Sequence, residues 1–246
     1  MKYFIRITYD GSKFFGFQRL QDCPTVQKSL EDALSCIDGE QVLVKGAGRT
    51  DRGVHAKGQG VHFSLQHSIP VKGLQHVLNR YLAPYIQVLE CREVTDSFHA
   101  RFSAQQKRYR YRICLGDYDP CLYDYVLFLK DLDVERMKEV GKLFVGVHNF
   151  QNFVSGTREN YEAVLFDILF EQREQFLDII FVGKSFYRYM VRNLVGALLD
   201  IGMGKRDIME VKEALSDQSL KKRFSTAPSN GLYLEDVVYS SEYFLD

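Results

Sequence analysis

The sequence lacks any apolar run long enough to cross a membrane, although it has 246 residues. Its first residues, MKYFIRITYD, also lack the apolar core and the cleavage site of a secretory leader. They begin at once with the alternation of apolar and polar residues that is typical of a strand. We therefore expect a cytoplasmic protein without a membrane segment.

Paired cysteines are also missing, since the five cysteines are widely spaced and form no CxxC pair. The six histidines show neither HxH nor HExxH spacing. A structural zinc site, a redox pair and a catalytic metal are therefore not expected, and the isolated cysteines are interpreted as small core residues.

An excess of positive charge is absent as well, because 32 Lys and Arg residues balance 32 Asp and Glu residues. A protein that coats nucleic acid without specificity is usually strongly basic, so that class is disfavoured. A local basic cleft is still compatible with zero net charge, provided that acidic residues lie elsewhere.

What the sequence does contain is a mixture of strand and helix patterns that predicts an α+β fold with a mainly antiparallel sheet. Helices are predicted at 24–37, with Thr25 as N-cap, and at 74–82, 133–146 and 185–202. Strands are predicted at 3–9, 60–65, 86–94, 163–171, 176–183 and 231–239. We divide the chain into an N-terminal half, 1–104, and a C-terminal half, 105–246.

The segment GAGRTDRG, residues 46–53, places a single carboxylate, Asp51, between Arg49 and Arg52. It matches neither GxGxxG nor GxxxxGK[ST], so a phosphate-binding loop has weak support. A salt-bridged turn is one interpretation. The other is a nucleophile that neighbouring cations keep ionised, and the local sequence allows both.

The segment QKRYRYRIC, residues 106–114, alternates basic and aromatic residues. In a strand, Arg108, Arg110 and Arg112 share one face, opposite Tyr109 and Tyr111. The cationic face would follow RNA phosphates while a tyrosine stacks on a base. The same pattern fits a solvated basic face above an aromatic core.

The predicted helix at 185–202 carries Arg188 and Arg192 four residues apart, hence on one face. Arg192 lies within the apolar stretch YMVRNLVGALL, where a buried cation needs a carboxylate partner. Asp51 is a candidate for that partner.

Several segments, in this order, resemble the tRNA pseudouridine synthase A family. They are YDGSKFFGFQR, TVQKSLEDAL, GAGRTDRGVHAKGQGVHF, SFHARFSAQQKRYRYRI, YMVRNLVG and GLYLEDV. The resemblance extends over nearly the whole chain. It implies a sheet built from two similar halves with a basic cleft between them, and a homodimer that binds tRNA.

The resemblance also implies isomerisation of uridine to pseudouridine at positions 38 to 40 in the anticodon arm of tRNA, without cofactor or metal. By motif position, Asp51 corresponds to the catalytic aspartate and Arg49 to the arginine that holds the target nucleotide outside the stack. Tyr109 corresponds to the tyrosine that contacts the substrate, and Arg192 to the basic partner of the aspartate. Candidates for the basic cleft are Arg19, Arg52, Lys57, Arg101, Lys107, Arg108, Arg110 and Arg188.

Three features depart from the family pattern: Phe17 replaces a common tryptophan, Arg52 follows the aspartate, and SGTRENYEAVLF lacks the usual Cys and Thr residues. The substrate range is therefore less defined than the reaction. The alternatives are a synthase for other uridines or another RNA, a non-catalytic tRNA-binding module, and a hydrolase with Asp51 as its nucleophile.

Overall fold

The computed structural model describes residues 1–217 and 224–245, which form two compact units. The first unit comprises residues 1–107 and 233–246, and the second comprises residues 108–232. The last strand of the chain thus belongs to the first unit, whereas the sequence-based division placed it in the C-terminal half. Ten strands and five α-helices lie in the described residues, and the α+β class with mainly antiparallel pairing is confirmed.

In the first unit the strands follow the spatial order β4 (Ile86–Glu93), β1 (Lys2–Tyr9), β3 (His55–Ser64) and β10 (Leu232–Tyr239). β1 is antiparallel to both β3 and β4, and β10 is parallel to β3. The short β2 (Lys45–Gly46) pairs with β3.

Of the two helices of the first unit, α1 (Val26–Asp38) begins and ends where the sequence provides caps. It starts at Thr25, whose hydroxyl accepts a hydrogen bond from the Lys28 amide, as predicted. It ends at Gly39, which adopts the left-handed φ of +81°. α2 (Val71–Leu82) follows Pro70 and packs on β4.

The second unit is built on β5 (Ala104–Cys114), β9 (Phe176–Gly183), β8 (Glu162–Arg173) and β7 (Gly146–Asn149), in that order. The first four residues of β5 are counted with the first unit. The short β6 (Leu127–Phe128) pairs with β5. Its helices are α3 (Val134–Phe144), α4 (Met190–Gly202) and α5 (Ile208–Ser216). β7 and α5 were not predicted from the sequence.

The predicted helix at 185–202 is wrong in its first five residues, because α4 begins only at Met190. Tyr189 has a φ of +60°, a left-handed conformation that a right-handed helix cannot continue through. The carbonyl of Arg188 instead accepts a hydrogen bond from the Ser155 amide at 3.1 Å. Arg188 and Arg192 therefore do not share a helix face.

Candidate active site

The loop that carries Asp51, residues 47–54, connects β2 to β3 in the first unit. We call it the Asp51 loop. The Ala47 amide donates to the Gly60 carbonyl at 2.8 Å, and the side-chain amide of buried Gln59 donates to the Gly48 carbonyl at 2.8 Å. The Ala47 carbonyl accepts from the ammonium of Lys107 at 2.7 Å. The first residues of the loop are thus held from two strands.

Thr50 anchors the centre of the Asp51 loop. Its hydroxyl lies 2.8 Å from the hydroxyl of buried Tyr9, and its carbonyl accepts from the Phe17 amide at 3.0 Å. Burial raises the pKa of Tyr9 well above its ordinary value, so this phenol stays protonated. Gly16 passes so close that a Cβ there would lie 2.8 Å from the Thr50 carbonyl, and its φ is +100°. The early glycine-rich turn therefore determines where Asp51 lies.

Asp51 itself is half-buried and opens a tight turn, because its carbonyl accepts a hydrogen bond from the Val54 amide at 3.1 Å. Gly53 provides the positive φ, +78°, that this turn requires. The guanidinium of Arg52 lies 4.2 Å from the centre of the Phe15 ring, and Arg49 is exposed to solvent. The three charged residues of the motif thus stand on a short backbone segment with defined geometry.

His55, which follows the loop, is a buried residue whose role the sequence interpretation missed. Its Nδ1 accepts a hydrogen bond from the Gly11 amide at 3.0 Å, and its ring stacks on Tyr233 at 4.7 Å. A Cβ on Gly11 would collide with the Val54 carbonyl. The combination of His55 with the DGS segment therefore closes the loop at its C-terminal end.

Tyr109 and Arg192, the other two expected site residues, belong to the second unit. Tyr109 is buried on β5, where its ring meets Phe186 edge to face at 5.0 Å. Arg192 lies in the first turn of α4, and its Nε donates to the Ala227 carbonyl at 2.7 Å. Its guanidinium also lies 4.9 Å from the centre of the Tyr189 ring. Both side chains are thus oriented by their own unit, while the pairing of Arg192 with Asp51 stays a prediction.

The profile of the tRNA pseudouridine synthase family matches residues 5–103 and 141–240 of this chain, which include the Asp51 loop and the start of α4. The chain belongs to this family.

Curated relatives of this pseudouridine synthase chain match it over nearly its full length. The tRNA pseudouridine synthase A of Limosilactobacillus fermentum is 40% identical, with 98% of this chain and 96% of the relative covered. That of Streptococcus agalactiae serotype Ia is 38% identical with the same coverage, and that of Finegoldia magna is 35% identical, covering 96% and 98%. A solved H/ACA RNP bound to a substrate RNA containing 2'-deoxyuridine aligns with 12% identity, a TM-score of 0.32, and coverage of 80% of this chain and 53% of that one, a likeness too low to support an argument.

The eight cations expected in the RNA-binding surface of this synthase have different environments. Arg19 pairs with buried Glu31 at 2.7 Å, and Arg110 lies 3.6 Å from Asp178. Arg108 lies 4.0 Å from Glu171, and the guanidinium of Arg188 lies 5.2 Å from the Tyr189 ring centre. Lys57 and Arg101 are exposed. Their contribution to RNA binding stays a prediction in every case.

Lys107 differs from the other cations of this set because it is buried. Burial, and to a smaller degree the charge of Arg101, lowers its pKa to about 8. Its contact with the Ala47 carbonyl positions the Asp51 loop of the synthase.

Metal-binding clusters and membrane-spanning helices are both absent from residues 1–217 and 224–245. No group of three or more His, Cys, Asp or Glu side chains there is arranged to hold a metal ion. In the same part of the synthase chain, no helix is long and apolar enough to span a bilayer.

Proposed function

We propose that this protein isomerises uridine to pseudouridine at positions 38 to 40 in the anticodon arm of tRNA, with Asp51 as the nucleophile. The observation that supports this most directly is family membership over nearly the whole chain, with Asp51 in a loop that four other segments hold in place. A carboxylate that has to attack one carbon atom of a bound nucleotide needs such a fixed position.

The target uridine first has to leave the base stack, which costs a few kcal/mol. Exposed Arg49, on the same loop as Asp51, is proposed to hold the nucleotide outside the stack. Tyr109 is proposed to stack on the uracil, and Arg192 to be the cation that keeps Asp51 ionised.

Asp51 then attacks either C1′ of the ribose or C6 of the pyrimidine, and both routes are compatible with a carboxylate nucleophile. The bond between N1 and C1′ breaks, the base turns, and C5 becomes bonded to C1′. The bond between Asp51 and the substrate also breaks, so that the free carboxylate is restored. The proton on C5 finally leaves, with Tyr109 as the candidate base, and N1, which no longer bonds to the sugar, takes up one proton. The atoms of substrate and product are the same, so the reaction requires no co-reactant.

The test uses unmodified tRNA transcripts that carry uridine at one anticodon-arm position at a time. Each transcript is incubated with wild-type protein and with Asp51→Asn, and pseudouridine is mapped along the strand. We expect product at one or more of positions 38 to 40, and a loss of turnover of about a thousandfold or more in the variant. The variant should bind tRNA with an affinity within about twofold of the wild type, because the carboxylate acts on the reaction rather than on the phosphates.

Asp117→Asn is the matched control, since Asp117 is a fully solvated carboxylate that pairs with Lys130 at the surface of the second unit. Its turnover should equal that of the wild type. Turnover retained in Asp51→Asn would refute the nucleophile assignment. Product at other uridines alone would refute the substrate position, and tight tRNA binding without any product would refute the enzymatic function.

The proposal also includes a homodimer in the cytoplasm, as the family resemblance implies. Light scattering coupled to size exclusion, with and without tRNA, measures the number of subunits. A monomer in both conditions would contradict the dimer while leaving the reaction untouched.

A further inference from the structure

Two phenylalanines four residues apart, Phe98 and Phe102, have opposite environments in the first unit. Phe98 is fully buried and packs edge to face against Phe4 and Tyr239, with ring centres 5.6 and 5.2 Å apart. Phe102 is 77% exposed, the largest value for any large hydrophobic side chain in the described residues. Phe98 is therefore part of the core, whereas the Phe102 ring faces solvent.

The segment that presents Phe102, the 99–103 turn, is closed by its own hydrogen bonds. The Ser103 amide donates to the His99 carbonyl at 2.8 Å, and the His99 amide donates to the Ser103 hydroxyl at 3.0 Å. The Nδ1 atom of His99 accepts from the Arg101 amide at 3.1 Å. The Phe102 ring then rests on the His99 ring at 4.4 Å, so its exposure is a fixed feature rather than that of a loose tail.

The 99–103 turn is attached to the strands from which the Asp51 loop begins. The His99 ring lies 4.6 Å from the ring of buried His62, whose Nδ1 accepts from the Ala100 amide at 3.1 Å. His62 on β3 is in register with Lys45 on β2, and the Asp51 loop follows β2 directly. The 99–103 turn, which carries Phe102, thus belongs to the same unit as Asp51.

Two positively charged side chains, those of Lys45 and Arg101, are associated with the 99–103 turn. Lys45 and Arg101 are exposed, and neither has a carboxylate within 4.0 Å in the part of the chain that the structure describes. The pKa of His99 is lowered by burial first, and also by the charges of Lys2, Lys45 and Arg101. Arg101 also lies beside the ring, with its guanidinium 5.8 Å from the centre of Phe102. An exposed aromatic ring next to cations that lack a carboxylate partner is the arrangement with which proteins bind single-stranded nucleic acid, because every base has a π-face and every nucleotide carries a phosphate.

We propose that Phe102 is a stacking platform for an unpaired base of the RNA substrate, with Lys45 and Arg101 contacting the phosphates that flank this base. The proposal rests on the proposed function, since it assumes an RNA substrate. It adds a base-binding position outside the residues assigned to the reaction. Phenylalanine has no hydrogen-bonding group, so this position tolerates any base.

The test compares Phe102→Ala, Phe102→Trp and Phe102→Leu in tRNA binding at several salt concentrations and in steady-state turnover. Loss of one base stack is expected to raise Kd and KM about tenfold in Phe102→Ala, while kcat at saturating tRNA stays the same. Phe102→Trp should restore the affinity, and Phe102→Leu should not, because leucine is apolar without a flat ring. The salt dependence of Kd should not change in any of the three, since no charge is removed.

Phe166→Ala is the matched control, because Phe166 is a phenylalanine on β8 of the second unit that is 47% exposed. It should leave Kd and KM unchanged. Thermal unfolding of every variant establishes that it is folded. If Phe102→Ala does not fold, the Trp and Leu variants decide the question by themselves.

Equal affinities of wild type and Phe102→Ala, or of the Trp and Leu variants, would overturn the stacking role. Dissociation of a wild-type dimer in Phe102→Ala, with unchanged tRNA affinity for each subunit, would identify the ring as a protein contact and also overturn it. Failure of the proposed function is distinguishable, because it is seen as absence of pseudouridine with wild-type protein whatever residue 102 does to tRNA binding.

Discussion

Two arginines of strand β5, Arg110 and Arg112, and two cations of the first unit, Lys45 and Arg101, have similar chemistry and opposite surroundings. Arg112 forms two hydrogen bonds with Asp178 on the neighbouring strand β9, at 2.7 and 2.6 Å, and Arg110 lies 3.6 Å from the same carboxylate. Lys45 and Arg101 have no carboxylate within 4.0 Å in residues 1–217 and 224–245. The first group is neutralised within the fold, while the second presents net charge to solvent.

This difference explains how a chain with no net charge is suited to bind a polyanion. A carboxylate such as Asp178 cancels charge inside the sheet, where the pair links two strands. We expect Lys45 and Arg101, which lack a carboxylate partner in the described residues, to create a local positive potential in the first unit. The net charge of the chain sums over both groups, so it does not show which cations are paired with carboxylates and which are not.

The largest effect is expected from Asp178→Ala, which removes the carboxylate that Arg110 and Arg112 share. Two arginines on one face of β5 then lose their shared partner, and the free energy of unfolding should fall by about 2–4 kcal/mol. Chemical denaturation measures the change. The salt dependence of tRNA binding should stay as in the wild type.

Glu171→Ala is the control for this substitution, because the Glu171 side chain is 40% exposed and its ion pairs, 4.0 Å from Arg108 and 3.5 Å from Arg173, are longer than the 2.6 Å pair of Asp178 with Arg112. It should change the free energy of unfolding by less than about 1 kcal/mol. Equal losses for both variants would mean that Asp178 has no special role in the sheet.

A smaller effect is expected from pH, through the buried histidine His62, whose ring lies 4.6 Å from that of His99 in the 99–103 turn. Burial first, then the charges of His99, Lys2 and Lys45, lowers the pKa of His62 from 6.5 to about 4. The unfolded chain therefore binds more protons between these two values, so stability should fall as the pH drops through this window. Between pH 8 and pH 5 the loss should be about 2 kcal/mol.

His62→Asn separates this effect from other titrations, because asparagine offers an acceptor near the position of Nδ1 and does not titrate. Its denaturation midpoint should depend less on pH than that of the wild type over the same range. Identical pH profiles would show that His62 is not the group responsible.

The smallest effect is expected when one unpaired cation is removed by Arg101→Gln. The slope of log Kd for tRNA against log salt should decrease by about 0.7–0.9, the contribution of one phosphate contact. Arg112→Gln is the matched control, since Arg112 is hydrogen-bonded to Asp178. The salt dependence of tRNA binding should be the same in this variant as in the wild type. Equal slopes for both variants would remove the distinction between the two groups in RNA binding.

The predicted strands and helices agree with the structure where neighbouring residues along the chain determine the element. β1, β8 and β9 have the short-period pattern of strands, and α1 begins at the predicted cap, Thr25. α5 was missed although Asp207 and Glu210 form a capping box that the sequence shows. The start of α4 was wrong because the left-handed conformation of Tyr189 depends on the contacts of Tyr187 and Arg188 with β8 and residue 155.

The sequence by itself determined the family, the α+β class and the order of the motifs, because these depend on residue types and short spacings. Only the tertiary structure decided which residues hold the Asp51 loop, since Tyr9, Gly11 and Lys107 reach it from distant positions. It also decided which cations are paired and that Phe98 is buried while Phe102 is exposed. Exposure and pairing depend on neighbours that are far apart along the chain, and no local pattern encodes them.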